Sequence, residues 1–155
     1  MTKQLPLSLI LLLLFVLAPS AEELTYYQLS SLATPSQKMH TENGEPVCGE
    51  VSQGQSDAEW IVTRKSTAGG EAVALKNRKT GTYLQMKDSA LSLGAAPSGS
   101  SSHLWLAVQS PYNPVIYSLR NVATGDYLRF FAKSGKVGTG PEERGTETLW
   151  TLDKL

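Results

Sequence analysis

Beginning at Tyr26, apolar residues occur in short or alternating runs separated by Gly, Pro, Asn and Ser. These runs are rich in Val, Leu, Tyr, Phe and Trp, which favour the pleated surface of a strand. No window of about a dozen residues has the i, i+3, i+4, i+7 spacing of an amphipathic helix. The pattern predicts an all-β chain with strands at Tyr26–Leu29, Trp60–Thr63, Ala72–Lys76, Tyr83–Met86, Ala90–Leu93, Leu104–Val108, Ile116–Arg120, Tyr127–Phe131 and Leu149–Leu152.

Residues typical of turns lie between the predicted strands. They form five groups: Glu42-Asn43-Gly44, Lys79-Thr80-Gly81, Ala123-Thr124-Gly125, Ser134-Gly135 and Gly138-Thr139-Gly140-Pro141. Two stretches rich in Gly and Ser, Thr63–Gly70 and Ala95–Ser102, are predicted as surface loops, and Pro111 to Pro114 as a connector.

The strongest signal in the sequence is an internal repeat. The pattern Leu-x-Asn-x-x-Thr-Gly-x-Tyr-Leu occurs from Leu75 and again from Leu119, and a Trp follows the first Leu by 30 or 31 residues. Leu29 likewise precedes Trp60 by 31 residues, and the chain's three tryptophans are 45 residues apart. Such a period predicts repeated units that bury their apolar faces together. The units lie at about residues 26–65, 72–109 and 116–153.

Three units of about four strands predict twelve strands with pseudo-threefold symmetry. A six-stranded barrel capped by three hairpins would leave few unpaired edges. Each Trp is expected on the last strand of its unit, inside the barrel. The Thr-Gly pair is expected in the turn between the first two strands of a unit, where Gly can take a positive φ. The predicted core residues are Trp60, Trp105, Trp150, Tyr83 and Tyr127.

The N-terminal segment has the pattern of a secretory signal peptide. Lys3 precedes an apolar run from Leu7 to Leu17, and small residues follow it. This run of eleven residues, apolar except for Ser8, is too short to span a bilayer. We therefore expect a signal peptide at residues 1–20, a single domain at residues 21–155, secretion to the extracellular space, and no stable membrane insertion.

Charge and composition exclude several classes of function. Removal of the leader takes away Lys3 and leaves 13 basic against 14 acidic residues, without a basic cluster. Nucleic-acid binding is therefore not expected. His40 and His103 are the two histidines, and together with one Cys they form no zinc pattern. We expect no catalytic residues, no metal and no cofactor.

Cys48 is the chain's one cysteine, so no internal disulfide can form. Counting from Trp60 places it in register with Leu93 of the second unit, which indicates a buried thiol. If the units are aligned on Leu29 instead, Cys48 is predicted to face solvent. An exposed thiol would allow a Cys48-linked dimer in an oxidising environment. We favour the buried thiol, and both a monomer and a linked dimer remain open.

The repeat, followed by Leu-Trp about twenty residues later, resembles that of β-trefoil proteins. It is most similar to the ricin-B-type lectin repeat, and the fascin-type trefoils are a weaker match. The resemblance covers residues 26 to 153 and implies carbohydrate binding. In that family an Asp after the Thr-Gly turn and a Gln two residues before the Trp hold the sugar. In this chain the Asp position is occupied by approximately Met39 in the first unit, by Gln85 in the second and by Arg129 in the third. The Gln position is occupied, in the same order, by Ala58, His103 and Thr148. The galactose-type pocket is thus not preserved in any unit.

A polar patch on the second unit is the candidate glycan site. Gln85 and Asp88 lie in one of the segments that flank a trefoil sugar site, and Ser102 and His103 lie in the other. The alternative is a solvated loop with an incidental His. Arg129 and Glu147 are expected to form a surface ion pair, and one ring of the Phe130-Phe131 pair should point outward.

Two functional hypotheses follow from these patterns. The first is a secreted lectin-like protein without catalytic activity that binds a glycan or glycoprotein. The second is a protein-binding trefoil, such as a protease inhibitor or a binding subunit of a larger secreted complex. For the second, rigid scaffolds often carry function on loops. The candidate loops are Glu42–Cys48, Ala95–Ser102 and Gly138–Gly145.

Overall fold

Six strands close a barrel. The computed structural model describes residues 24–142 and 145–155. Each barrel strand pairs antiparallel with two neighbours, and the last strand pairs with the first. The barrel strands are β1 (Tyr26–Ser31), β4 (Trp60–Thr67), β5 (Gly70–Asn77), β8 (Leu104–Gln109), β9 (Ile116–Asn121) and β12 (Leu149–Lys154).

Three hairpins cap one end of the barrel. They are β2 (Lys38–Glu42) with β3 (Glu45–Gly49), β6 (Tyr83–Lys87) with β7 (Ala90–Gly94), and β10 (Tyr127–Phe131) with β11 (Lys136–Gly140). Short 3₁₀ turns at Ser56–Ala58 and Thr146–Thr148 precede β4 and β12. The arrangement is a β-trefoil, and the predicted fold class is confirmed.

The strand register repeats in all three units. Trp60, Trp105 and Trp150 lie on the closing strands β4, β8 and β12, opposite Asn77, Asn121 and Ser31. Equivalent residues of the three units can therefore be assigned from strand pairing alone.

The repeated Asn explains the turn motif. Asn121 Oδ1 accepts hydrogen bonds from the backbone N–H groups of Ala123 and Thr124, and the backbone N–H of Gly125 donates to the Asn121 carbonyl. Asn77 makes the same bonds in its unit. Gly81 and Gly125 have φ values of 69° and 79°, as predicted for the Thr-Gly turn. Each Asn Nδ2 also donates to a carbonyl near the end of the preceding unit, that of Asp57 or Ser102. The motif thus shapes the turn and joins consecutive units.

The tryptophans form the centre of the core. All three are 0% exposed. Each indole N–H donates a 3.0 Å hydrogen bond to a carbonyl on the first strand of its unit's hairpin, that of Met39, Leu84 or Leu128. Tyr83 and Tyr127, predicted as core residues, are only partly buried and lie outside it. They alternate with the buried Leu84 and Leu128 along their strands, so they belong to the opposite face of the hairpin.

Three strands were missing from the sequence prediction: β2, β3 and β11. Glu42–Cys48, expected as a loop, is mostly the β2–β3 hairpin, turning at Asn43-Gly44, and Gly138–Gly140 belong to β11. Thr63–Gly70, also expected as a loop, is a continuation of β4 and β5 around a two-residue turn. Of the three loops that support the protease-inhibitor hypothesis, Glu42–Cys48 is therefore mostly strand and Gly138–Gly145 begins within β11, whereas Ala95–Ser102 lies between strands.

Cys48 lies on β3 opposite the buried Met39, at the position that Leu93 takes in the second unit. It is 8% exposed, and burial raises the pKa of its thiol to about 12.

The predicted signal peptide falls on residues 1–20, outside the described residues. In the part of the chain that the structure describes, no helix is long and apolar enough to cross a bilayer.

Replacing Trp105 with Ala should lower the free energy of unfolding by about 3–5 kcal/mol, because it removes a fully buried ring. Trp105→Phe keeps most of the volume but leaves the buried Leu84 carbonyl without its indole donor, at a cost of about 1–3 kcal/mol. Urea unfolding followed by circular dichroism measures both. Near-wild-type stability of Trp105→Ala would contradict the central role of the indoles.

Native protein at pH 8 should resist alkylation of Cys48 by iodoacetamide, because a thiol with a pKa of about 12 leaves only about one molecule in ten thousand as the reactive thiolate. Labelling should go to completion in denaturant. Ser134→Cys places a thiol in an exposed turn of the same protein and should label rapidly without denaturant. Fast native labelling of Cys48, or a reducible band at twice the monomer mass, would overturn the buried-thiol interpretation.

Candidate functional site

In the second unit, Gln85 is turned onto its own hairpin. It is 8% exposed, and a Cβ placed on Gly94 would come within 2.3 Å of its amide nitrogen. The glycine therefore makes room for the Gln85 side chain. This packing closes the position where the resemblance places the Asp that binds the sugar.

The other two units repeat this arrangement. His40 lies over Gly49, and Arg129 lies beside Gly140. The equivalent of Gln85 in the first unit is therefore His40. The approximate assignment to Met39 is wrong, because the Met39 carbonyl accepts the Trp60 indole in register with Leu84 and Leu128.

The remaining residues of the predicted polar patch make different contacts. The Ser102 carbonyl accepts hydrogen bonds from Asn121 Nδ2, at 2.8 Å, and from the Met86 backbone N–H, at 2.9 Å. The ring of His103 meets that of Tyr83 edge-on, with centroids 5.8 Å apart. Asp88 is exposed in the β6–β7 turn with a φ of 50°. The structure thus brings Ser102 and His103 against β6, while Gln85 is buried and Asp88 faces solvent. Their role in ligand binding stays a prediction.

His103 occupies an unfavourable site for a charged imidazole. Burial, together with the positive charge of Lys65, lowers its pKa from the ordinary value. Its Nδ1 atom is buried and has no hydrogen-bond partner among the described residues. The neutral form is therefore the one that the fold favours.

The third unit has an open groove at the place where His103 packs against Tyr83 in the second unit. Tyr127 and Thr148 are the equivalents of Tyr83 and His103, since both pairs hold the same positions relative to the hairpin and the closing Trp. Thr148 is smaller than the imidazole, and both it and Tyr127 line a groove of about 610 Å³. In the first unit the equivalent positions are Lys38 and Ala58. Lys38 Nζ is anchored to Ser30 Oγ at 2.7 Å and Asp153 Oδ2 at 3.0 Å.

The connector between β8 and β9 also contributes to the lining of the groove. Its Tyr112 is 96% exposed, and Gln109, Ser110 and Pro111 also line the groove. The connector is braced by its own hydrogen bonds. Gln109 Nε2 donates to the Pro114 carbonyl at 2.6 Å, and the Val115 N–H donates to Asn113 Oδ1 at 3.1 Å.

One feature of the sequence could have indicated this part of the lining. Tyr112 lies between Pro111 and Pro114 in a connector, where a side chain is poorly placed to enter the core. Glu142 adds a carboxylate to the described lining. The described part of the lining therefore combines two phenol rings with an amide, hydroxyls and one acidic side chain.

Arg129 and Glu147 form the predicted ion pair, at 3.1 Å, and the Arg129 guanidinium lies 5.1 Å from the centre of the Phe131 ring. Phe130 is 1% exposed and Phe131 is 38% exposed, so one ring of the pair points outward as expected.

Among the described residues, no three His, Cys, Asp or Glu side chains lie close enough together to hold a metal ion.

The stability of the protein should fall as the pH drops below about 6.5, the ordinary pKa of His. The pKa of His103 is lowered in the folded state, so below that value the unfolded chain binds the proton more readily. His103→Thr, which copies the residue of the third unit, should reduce this loss between pH 7 and pH 5. Thermal melts of both proteins across the range measure it, and identical pH profiles would contradict the assignment.

No protein-family model matches the chain, and a search of curated proteins finds no match. Similarity appears at the level of structure. The designed 3-fold symmetric protein ThreeFoil aligns with a TM-score of 0.69 at 18% identity, covering 84% of this chain and 99% of that one. The Macrolepiota procera ricin B-like lectin in complex with lactose aligns with a TM-score of 0.67 at 14% identity, covering 87% and 99%.

A third similar structure is the GlcNAcα1-4Gal-releasing endo-β-galactosidase from Clostridium perfringens. It has a TM-score of 0.71 at 18% identity, and the match covers 90% of this chain but 34% of that longer one. At these identities the likeness establishes the fold and nothing finer. The chain has the β-trefoil fold that ricin B-like lectins also have.

Proposed function

We propose that the protein is a secreted carbohydrate-binding β-trefoil without catalytic activity, and that a glycan binds in the groove of the third unit. The open groove that Tyr112 and Tyr127 both line is the observation that carries the proposal. The volume of about 610 Å³ is within the usual range for small-ligand sites.

The chemistry of the lining suits a sugar. Tyrosine combines an apolar ring with a polar hydroxyl, so it can cover the C–H face of a pyranose and also hydrogen-bond to it. The Glu142 carboxylate can accept charge-assisted hydrogen bonds from sugar hydroxyls, and Gln109 and Ser118 add neutral polar groups. Burial of the sugar face and fixed hydroxyl directions together would give both affinity and selectivity.

The rigidity of the walls supports the same conclusion. Tyr127 begins a strand of the cap, and Tyr112 belongs to a connector held by its own hydrogen bonds. Little order has to be imposed when a ligand enters such a groove, which reduces the entropic cost of binding.

Binding rather than hydrolysis is the function that we assign to this groove. Most glycoside hydrolases use a pair of carboxyl groups on either side of the scissile bond. The described lining offers Glu142 as its one carboxylate. The lactose-bound lectin of the same fold, named above, adds general support for carbohydrate as the ligand. Secretion rests on the apolar leader and places the protein where glycans are abundant.

A broad glycan array probed with residues 21–155 should identify a ligand, and Tyr127→Ala should weaken its binding about tenfold or more, because one wall of the groove is removed. Tyr112→Ala should have a similar effect. Titration calorimetry with the best glycan of the array measures each loss.

Tyr83→Ala is the matched control, since Tyr83 is the equivalent of Tyr127 in the second unit and lies against His103 instead of an open groove. It should leave glycan affinity unchanged. No binding on the array by protein with an all-β circular dichroism spectrum would refute carbohydrate binding. Equal losses in the Tyr83 and Tyr127 variants would refute the location.

A further inference from the structure

A second cavity lies at the end of the barrel that the hairpins leave open. Every barrel strand contributes to its lining, which places it on the pseudo-threefold axis. Its volume is about 360 Å³, and its central residues are Tyr27, Val62, Val73, Ala107, Tyr117 and Leu152. We call this cavity the barrel mouth.

The floor of the barrel mouth is a ring of equivalent side chains. Val62, Ala107 and Leu152 each follow a Trp by two residues, and each pairs with a buried Leu on the neighbouring strand. They pack against the core but are only partly buried. An apolar ring on the barrel axis thus remains in contact with water.

A second ring forms the wall. Tyr27, Val73 and Tyr117 are equivalent, because they pair with Trp60, Trp105 and Trp150 in the same register. Two of the three positions hold Tyr and one holds Val.

The cavity results from small residues in one unit. The second unit supplies Ala107, where the other units have Val62 and Leu152, and Val73, where they have Tyr27 and Tyr117. These residues lie on the paired strands β5 and β8, so both reductions in volume fall on the same side of the axis. Departure from the threefold pattern therefore opens the space.

The two charged side chains that line the barrel mouth neutralise each other. Arg64 and Glu71, which also line the cavity, form an ion pair at 2.7 Å. A charged ligand would have to compete with this pair, whereas an uncharged one leaves it intact. The two Tyr side chains present aromatic rings and hydroxyl groups above the aliphatic floor.

We propose that the barrel mouth binds a small uncharged molecule with an aromatic ring and a hydroxyl group, such as a phenol or an aromatic alcohol. The ring would lie on Val62, Val73, Ala107 and Leu152, and its hydroxyl would reach the phenol groups of Tyr27 and Tyr117. The site is separate from the glycan groove and does not depend on it, although Gln109 borders both cavities.

Titration of residues 21–155 with 4-methylphenol, followed by methyl-resolved NMR, tests the proposal. Saturable shifts are expected at the methyl groups of Val62, Val73, Ala107 and Leu152, with a dissociation constant on the order of 1 mM for so small a probe. Ala107→Leu should fill the cavity and weaken binding by about tenfold or more, and the fold should tolerate it because Leu152 holds the equivalent position.

Ala132→Leu makes the same change in the exposed β10–β11 turn and should leave the affinity for the probe unchanged. Tyr117→Phe provides a second variant that keeps the cavity but removes a hydroxyl. It should weaken binding severalfold, and it decides the question if Ala107→Leu does not fold. Shifts that do not saturate, shifts at the methyl groups of Val108 and Leu149 in the glycan groove instead of those in the barrel mouth, or full affinity in both cavity variants would overturn the proposal.

Discussion

Three indole hydrogen bonds hold the fold in register. Each tryptophan reaches from the closing strand of its unit to the carbonyl of Met39, Leu84 or Leu128 on a cap hairpin, at 3.0 Å in every case. Inside a dry core a carbonyl without a donor is costly, so a slip of either partner is strongly opposed. The bonds therefore fix the position of each hairpin relative to the barrel. Both proposed sites depend on this, since the glycan groove lies between the barrel and a hairpin and the barrel mouth lies two residues beyond the tryptophans.

Most of the architecture could be predicted because the repeat is visible in the sequence. The spacing of the tryptophans identified the closing strands, and the Asn and Thr-Gly positions identified the turns. The strands β2, β3 and β11 could not be predicted, because Pro46, Gly138 and several charged residues interrupt any apolar pattern there. These strands are held mainly by pairing within their own hairpins, β2 with β3 and β10 with β11, and the pair of Val47 with Lys136 joins two hairpins. Pairing thus overrides local propensity at such positions.

The candidate site was harder to predict than the fold. Sequence reasoning pointed to Gln85 and His103 in the second unit, where the structure shows one side chain folded over a glycine and the other against Tyr83. Strand alternation could have separated Tyr83 and Tyr127 from the core, since each precedes a buried Leu. The openness of the third unit could not be inferred from the sequence. It depends on the volume of Thr148 and on a connector whose Tyr112 lines the same groove as Tyr127.

Both proposed sites follow from one physical rule. A perfectly threefold chain would fill or open equivalent positions three times, and its cavities would all be alike. In this chain the three indole bonds and the closed barrel preserve the symmetry of the backbone. Side chains at equivalent positions are then free to differ in volume without loss of the fold. Thr148 in place of His103 leaves room for a groove, and Ala107 in place of Leu152 leaves room at the barrel mouth. Binding sites in such a fold arise where the repeat is broken, while the intact repeat supplies the rigidity that makes them selective.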